Sequence, residues 1–257
     1  MHWIIQENLW NEEGHSLLLQ ALDKNGSEYT IVKVRPFIHT IEPDINPPNP
    51  VMVIGATTLV QIGKERKWFP SAFLNKNFDF RVQVRHWGRW MLNHDAVVGS
   101  LKELDPPWEP FFIRPPEDNK ILTGTLMTHA ELDKWREDTA ASYSDGYTSL
   151  TPDTIFMVST PKAIWQEYRC FVVLNKYITG SEYKRAGRPY QNSVVDNDII
   201  EFVETRSNEW SPDLAFCMDV ARTEEGLRII EVNCINSSGF YKSDVSKTIQ
   251  ALETMFT

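Results

Sequence analysis

The sequence predicts a mixed α/β chain of two parts, a small α/β domain over residues 1–105 and a larger domain over 106–257 with two subdomains around a cleft. Three observations support this. Strand-like runs alternate with helix-competent stretches in the first hundred residues. Asp105, Pro106 and Pro107 then break the chain. From Thr154 onward strand signals follow one another closely and end in an amphipathic helix.

The elements are read in order. Tyr29–Val34 and Val51–Ile54 are apolar, β-branched runs and read as strands, the second ending at Gly55 before a helix over Thr57–Lys67. Pro47, Pro48 and Pro50 stiffen the turn ahead of that second strand. Arg85–Leu104 carries enough helix formers for one or two helices. Phe111–Arg114 reads as a short strand stopped by Pro115 and Pro116, with a loop over Glu117–Gly124. Thr128 and Glu131 form a capping-box pattern opening a helix to about Glu137, since each side chain can satisfy the other's orphan amide. Ala140–Pro152, rich in Ser, Thr, Asp and Gly, reads as a loop. Strands are expected at Thr154–Ser159, Trp165–Leu174, Lys176–Thr179, Ile199–Glu204, Leu214–Ala221 and Leu227–Cys234. A last helix begins near Ser243, with Val245, Ile249 and Leu252 on one stripe.

The bulk numbers exclude some classes. At 257 residues and 42% hydrophobic content the chain can bury a substantial core. A net charge of -9 disfavours a nucleic-acid partner, which needs a surplus of Lys and Arg. Cys170, Cys217 and Cys234 sit in apolar runs without CxxC spacing and read as buried reduced thiols. The first residues lack a signal peptide, and no window reaches membrane-spanning length, so a cytoplasmic location with no membrane partner is expected. The sequence leaves the oligomeric state open, and a homodimer is compatible with it.

The chemistry-bearing residues concentrate in Leu214–Asn233, two apolar runs around the polar loop Arg222–Gly226, which read as an antiparallel hairpin. With Ala221 opposite Leu227, Asp219 faces Ile229 and lies diagonally from Glu231, and Asn233 joins the same face one step on. Carboxylates gathered inside apolar strands repel one another and lose hydration unless cations compensate. Mg²⁺ suits them, since it takes a few carboxylate or carbonyl oxygens plus phosphate and water, whereas zinc would call for His and Cys. The plainer alternative is a set of salt bridges from Asp219 and Glu231 to Arg222, Arg228 or Arg169 on a solvated face.

Two further patterns accompany the hairpin. Glu167 and Arg169 share one strand face, placing a carboxylate and a phosphate-competent guanidinium in mutual reach, or else forming an ordinary ion pair. Lys184 and Arg185 add positive charge after the next strand. Arg114 at a strand end, followed by a loop with Lys120, Thr123 and Gly124, could cover phosphates; a solvated surface lysine is the alternative for Lys120. Neither GxxxxGK[ST] nor GxGxxG occurs, so a P-loop or dinucleotide fold is not supported.

In this order the patterns resemble the ATP-grasp superfamily: Arg-Pro and a Lys-containing loop, a hinge strand, Glu-x-Arg, then Asp and Glu-x-Asn in a hairpin. The likeness is nearest to a branch common in phages and bacteria, whose end is similar to Ile230–Tyr241 here. The resemblance implies an ATP-grasp fold with a small α/β domain ahead of the grasp, and ATP and Mg²⁺ as cofactors. Asp219, Glu231 and Asn233 would hold the metal. Arg114, Lys120, Thr123 and Gly124 would cover the phosphates, with Glu167 and Lys184 also in the nucleotide site. The backbone of Met157, Val158 and Ser159 would form a hinge reading adenine. Arg169, aided by Arg185, would stabilise the transferred phosphoryl group. Arg114 stands where many ATP-grasp enzymes have Lys, and the 117–124 loop holds a single glycine, Gly124.

The activity implied is that of a carboxylate–amine ligase, joining an amino acid or peptide through an acyl phosphate. Gly55, the Ala56–Thr58 loop and the Ser237–Gly239 stretch are expected near the substrate, though each is also an ordinary turn. A small-molecule kinase and a non-catalytic nucleotide-binding interaction protein are the alternatives. ADP formation that needs both acid and amine separates the first, and MgATP binding bears on the second.

Overall fold

Val51–Ile54 is buried at every position, the mark of a strand covered on both faces, and it lies second from the edge of the first sheet. The computed structural model describes the chain apart from residues 8, 10, 11, 36, 37, 118–121, 123, 145–149 and 257. In chain order the elements are β1 (His2–Gln6), α1 (Glu12–Asn25), β2 (Glu28–Arg35), β3 (Thr40–Glu42), β4 (Val51–Ile54), α2 (Thr57–Glu65), β5 (Pro70–Ser71) and α3 (Phe80–Trp87). There follow β6 (Val97–Ser100), β7 (Phe111–Arg114), β8 (Thr125–Met127), α4 (His129–Ser144) and β9 (Ile155–Ser159). The last stretch holds β10 (Ile164–Val173), β11 (Lys176–Arg185), β12 (Arg188–Asn192), α5 (Asn197–Glu209), β13 (Ala215–Thr223), β14 (Gly226–Asn233) and α6 (Val245–Thr254).

Contacts divide the chain into two compact units, Met1–Asn75 with Ile164–Thr257, and Lys76–Ala163. Compactness groups residues by packing and not by the order in which a fold's parts follow along the chain, so the division at 105 stands as a proposal.

The first unit holds two sheets. One runs β3-β2-β1-β4-β5, parallel except for β3. On one face of it Ile4, Val51 and Val53 pack with Leu59, Val60 and Ile62 of α2. On the other, Trp3, Ile5, Met52 and Ile54 share a core with Leu18 and Leu22 of α1, with Ile249 and Leu252 of α6, and with Phe171 and Cys217 of the second sheet. That second sheet is antiparallel, β12-β11-β10-β13-β14. Its inner face is therefore apolar at the Phe171 and Cys217 level and polar one step further along each strand, at Arg169 and Asp219.

The second unit is a four-stranded antiparallel sheet, β6-β9-β7-β8, covered by α4. Leu132 and Trp135 pack with Phe111, Ile113, Phe156 and Val158. The capping box is formed: the Thr128 amide donates to Glu131 Oε2 at 2.7 Å, and the Glu131 amide to Thr128 Oγ1 at 3.3 Å.

Three expectations are corrected. Ile199–Glu204 is helix, within α5, because Ile199, Val203 and Ser207 recur at four-residue spacing and are buried, a stripe that outweighs the local β-branched preference. Arg85–Leu104 holds only the end of α3, stopped at Gly88 with φ 49°, then a single 3-10 turn and β6. The 140–152 loop begins later, since α4 continues to Ser144.

Candidate functional site

The hairpin forms with a shorter loop than its sequence suggests. Thr223 pairs with Gly226, whose φ of 97° suits glycine, and only Glu224 and Glu225 turn the chain. A register shift between Asp219 and Val220 then brings Asp219 directly opposite Glu231, and Cys217 opposite Asn233. The diagonal relation expected from simple alternation is thus replaced by a closer one. On its other side Asp219 faces Arg169, and Arg169 faces Ser181. Directly paired residues share a face, so Ser181, Arg169, Asp219 and Glu231 form a row across four strands.

Asp219 is 1% exposed and takes a bidentate fork from Arg169, Nε to Oδ1 at 2.8 Å and Nη2 to Oδ2 at 2.7 Å. The expected alternative of salt bridges is met in this one pair, in the buried interior of the sheet face; Arg222 goes instead to Asp196 and Asp198. Burial pushes the Asp219 carboxyl above its usual range; Arg169 opposes this, while Glu231 and Glu167 add to it. Burial pulls Arg169 down, but Asp219 more than offsets that and holds the guanidinium well above its ordinary value, so it stays charged. At the hairpin's end Asn233 Nδ2 donates to Glu231 Oε1 at 2.9 Å.

Glu167 lies two residues from Arg169 on the same face but does not pair with it. It accepts from Tyr183 Oη at 2.8 Å and faces Lys184 Nζ at 3.0 Å. Tyr183 stacks on Tyr241, with centroids 4.8 Å apart, and Arg169 lies over both rings. Sequence reasoning missed both tyrosines. Tyr183 sits at a register shift in β11 that no pattern announces, and Tyr241 reaches the row from a loop.

Arg185 is not brought to Arg169. It forks onto Glu182, Nε to Oε1 at 2.7 Å and Nη2 to Oε2 at 2.6 Å, and lies 4.3 Å over the Tyr190 ring. Glu182 faces Tyr168 across the ladder, and Tyr168 points to the opposite side of β10 from Glu167 and Arg169.

In the other unit, Arg114 ends β7 with its guanidinium 5.7 Å over the Phe80 ring. Lys120 and Thr123 lie outside the described residues. Gly124 has a structural reason to be glycine: a Cβ there would collide with the Phe112 ring. Met157 and Val158 are fully buried in β9 and paired on both sides, with Arg114 and Ile113 on one and Val98 and Val97 on the other. Their backbone groups belong to the sheet ladder, whereas Thr160–Ala163, which follow Ser159, lie outside any regular element. Ser159 Oγ bonds Asn93 Oδ1 at 3.1 Å, and Thr160 Oγ1 and Lys162 Nζ both donate to Asp95 Oδ2 at 2.8 Å.

Of the residues expected near a substrate, Gly55 is held to the segment that follows the hairpin. Its amide donates to the Asn236 carbonyl at 3.0 Å. The fully buried Asn236 side chain donates to Val53 O at 2.6 Å and accepts from the Phe73 amide at 2.9 Å. Ala56 ahead of α2 donates its amide to Gln6 Oε1 at 2.8 Å.

Among the described residues no group of three or more His, Cys, Asp or Glu side chains is gathered as a metal site. The row offers a different set, two facing carboxylates and one carboxamide. These are hard oxygen donors, and magnesium needs few of them because it fills the rest of its shell with phosphate and water. The donors therefore fit Mg²⁺ and do not fit zinc.

The two sheets of the first unit, the four-stranded sheet with its helix, and the Asp219, Glu231 and Asn233 row define the class as ATP-grasp. The solved structures it resembles include D-cycloserine synthetase DcsG, at TM-score 0.67 and 8% identity over 100% of this chain and 99% of that one. A RimK domain ATP-grasp protein from Sphaerobacter thermophilus aligns at TM-score 0.65 and 10% identity, covering 98% and 100%. D-alanine–D-alanine ligase from Bacillus anthracis, complexed with ATP, aligns at 0.63 and 13%, covering 98% and 96%. More particularly, the chain belongs to an ATP-grasp domain family, the third of its clade, whose model matches residues 49–252. No curated protein matches the sequence.

Proposed function

We propose that this protein is an ATP-dependent carboxylate–amine ligase that forms an amide or peptide bond, with an amino acid or a peptide as substrate. The observation that carries the reading is the row in which Glu231 faces Asp219 and Asp219 holds Arg169, with Asn233 on Glu231. Magnesium ATP, when bound, supplies the phosphoryl group that converts a substrate carboxylate into an acyl phosphate, which an amine opens to the amide with release of phosphate.

The chain's own residues position and neutralise, since phosphoryl transfer asks for little covalent help. Asp219, Glu231 and Asn233 would hold the metal. Arg169, its fork edge fixed on Asp219, turns its remaining N–H groups to the transferred phosphoryl group. Glu167 and Lys184 sit beside it in the nucleotide set. Arg114 is assigned to phosphate and the strand ending at Ser159 to adenine, with Thr160–Ala163 supplying backbone outside the ladder. Arg185 is not carried forward with Arg169, because Glu182 holds it on the opposite side of β10. Gly55 and the Ser237–Gly239 stretch are assigned to the substrate acid, supported by the bond from Gly55 to Asn236. Lys120 and Thr123 stay with the phosphates as proposals.

Calorimetric titration with MgATP, followed by a screen of ADP release against pools of amino acids and short peptides, tests the reading. Binding, with ADP formed only when both a carboxylate and an amine are present, is the expected result. Turnover without an amine would point to a kinase, and absence of MgATP binding would leave an interaction protein with an ATP-grasp fold.

A further inference from the structure

The loop after β14 carries an aromatic side chain to which the proposed reaction gives no role. Tyr241 has φ 51°, in the left-handed region that a non-glycine residue adopts only when its surroundings hold it there. Its neighbours supply that hold. Phe240 stacks on Phe171 with centroids 5.1 Å apart, the Ser243 amide donates to Phe240 O at 2.9 Å, and the Asp244 amide to Thr179 Oγ1 at 2.9 Å.

So placed, the Tyr241 ring lies nearly parallel to Tyr183, at 10°, and Arg169 Cζ is 5.1 Å from its centroid. Tyr183 is the farther ring, at 5.8 Å, and its hydroxyl is committed to Glu167. Asp219 fixes one edge of the guanidinium, but an edge leaves the plane free to swing, and the 3.4 Å contact of Nη1 with Gly239 O is long. An aromatic face attracts a cation and opposes that swing. We infer that Tyr241 is a positioning residue that sets the plane of the Arg169 guanidinium for the transferred phosphoryl group. This rests on the ligase reading, in which Arg169 meets that group.

The test is calorimetric titration of the full-length protein with MgADP, alone and with fluoroaluminate as a mimic of the transferring phosphoryl group. Wild type, Tyr241→Phe and Tyr241→Leu are compared. Fluoroaluminate is expected to tighten MgADP binding to wild type and to Tyr241→Phe, by about 100-fold if one oriented donor carries the effect. In Tyr241→Leu, which keeps apolar bulk without the ring face, most of that gain should vanish while affinity for MgADP alone stays close to wild type. Three results overturn the inference: the gain survives in Tyr241→Leu, it is absent from a wild type that binds MgADP, or Tyr241→Leu loses MgADP affinity and melting temperature together. A wild type that binds no MgADP would overturn the ligase reading itself, and this inference with it.

Discussion

Both oxygens of Asp219 are held by Arg169, and across the next strand the same carboxylate faces Glu231. Removing one partner from such a buried pair leaves an uncompensated charge. Asp219→Leu is expected to cost about 3–5 kcal/mol, readable as a lowered urea midpoint, and a loss below about 1 kcal/mol would show the pair to be solvated. Glu231 is half-buried and closes the row, so Glu231→Ala should abolish ADP release while the far-ultraviolet circular dichroism stays that of wild type. Full turnover in that variant would remove Glu231 from the metal. Asp219, Glu231, Asn233 and Arg169 were legible in the sequence because strand parity alone places them on one face. Their register was not, since a bulge leaves no mark in residue pattern, and Tyr241 was not, since a loop residue has no period to read.

At the scale of elements, the cap of α4 gives a measurable handle. Thr128→Ala removes one half of a reciprocal cap and is expected to cost about 1 kcal/mol in chemical denaturation. The segment after β9 carries a pH dependence. Burial raises the Asp95 carboxyl, but bonds from Lys162 and Thr160 outweigh it and hold the group below its usual range. A carboxylate depressed in the fold contributes stability above its unfolded value near pH 4, which is lost as pH falls through the folded value. Asp95→Asn should therefore flatten the acid limb of the stability profile and change little at low pH; an unchanged acid limb would mean the ion pair contributes nothing. Elements with an unambiguous period, such as β4, α2, β10 and α6, could be read directly. Helix α5 could not, because Ile199, Ile200 and Val203 carry strand preference and only packing of one face decides between the two.

For the whole molecule, binding of a ligand to the folded state alone raises stability by mass action. If the chain holds MgATP as proposed, a concentration of about a hundred times the dissociation constant adds about 2.7 kcal/mol and shifts the melting temperature by roughly 5–10 °C. Magnesium removal with EDTA should abolish the shift, and a shift that persists without the metal would argue for nucleotide bound by Arg and backbone alone. No helix among the described residues is long and apolar enough to cross a membrane. Cys170, Cys217 and Cys234 are free and buried, two in the central strands β10 and β13 and one just past β14. Burial lifts the Cys170 thiol well above its ordinary value and Cys217 to about 12, so the thiolate that an alkylating reagent needs is scarce in the folded protein. Alkylation counted by mass spectrometry thus becomes a clock for the central sheet: each added tag records an opening of that layer, and a bound nucleotide that braces the row above it would slow the count.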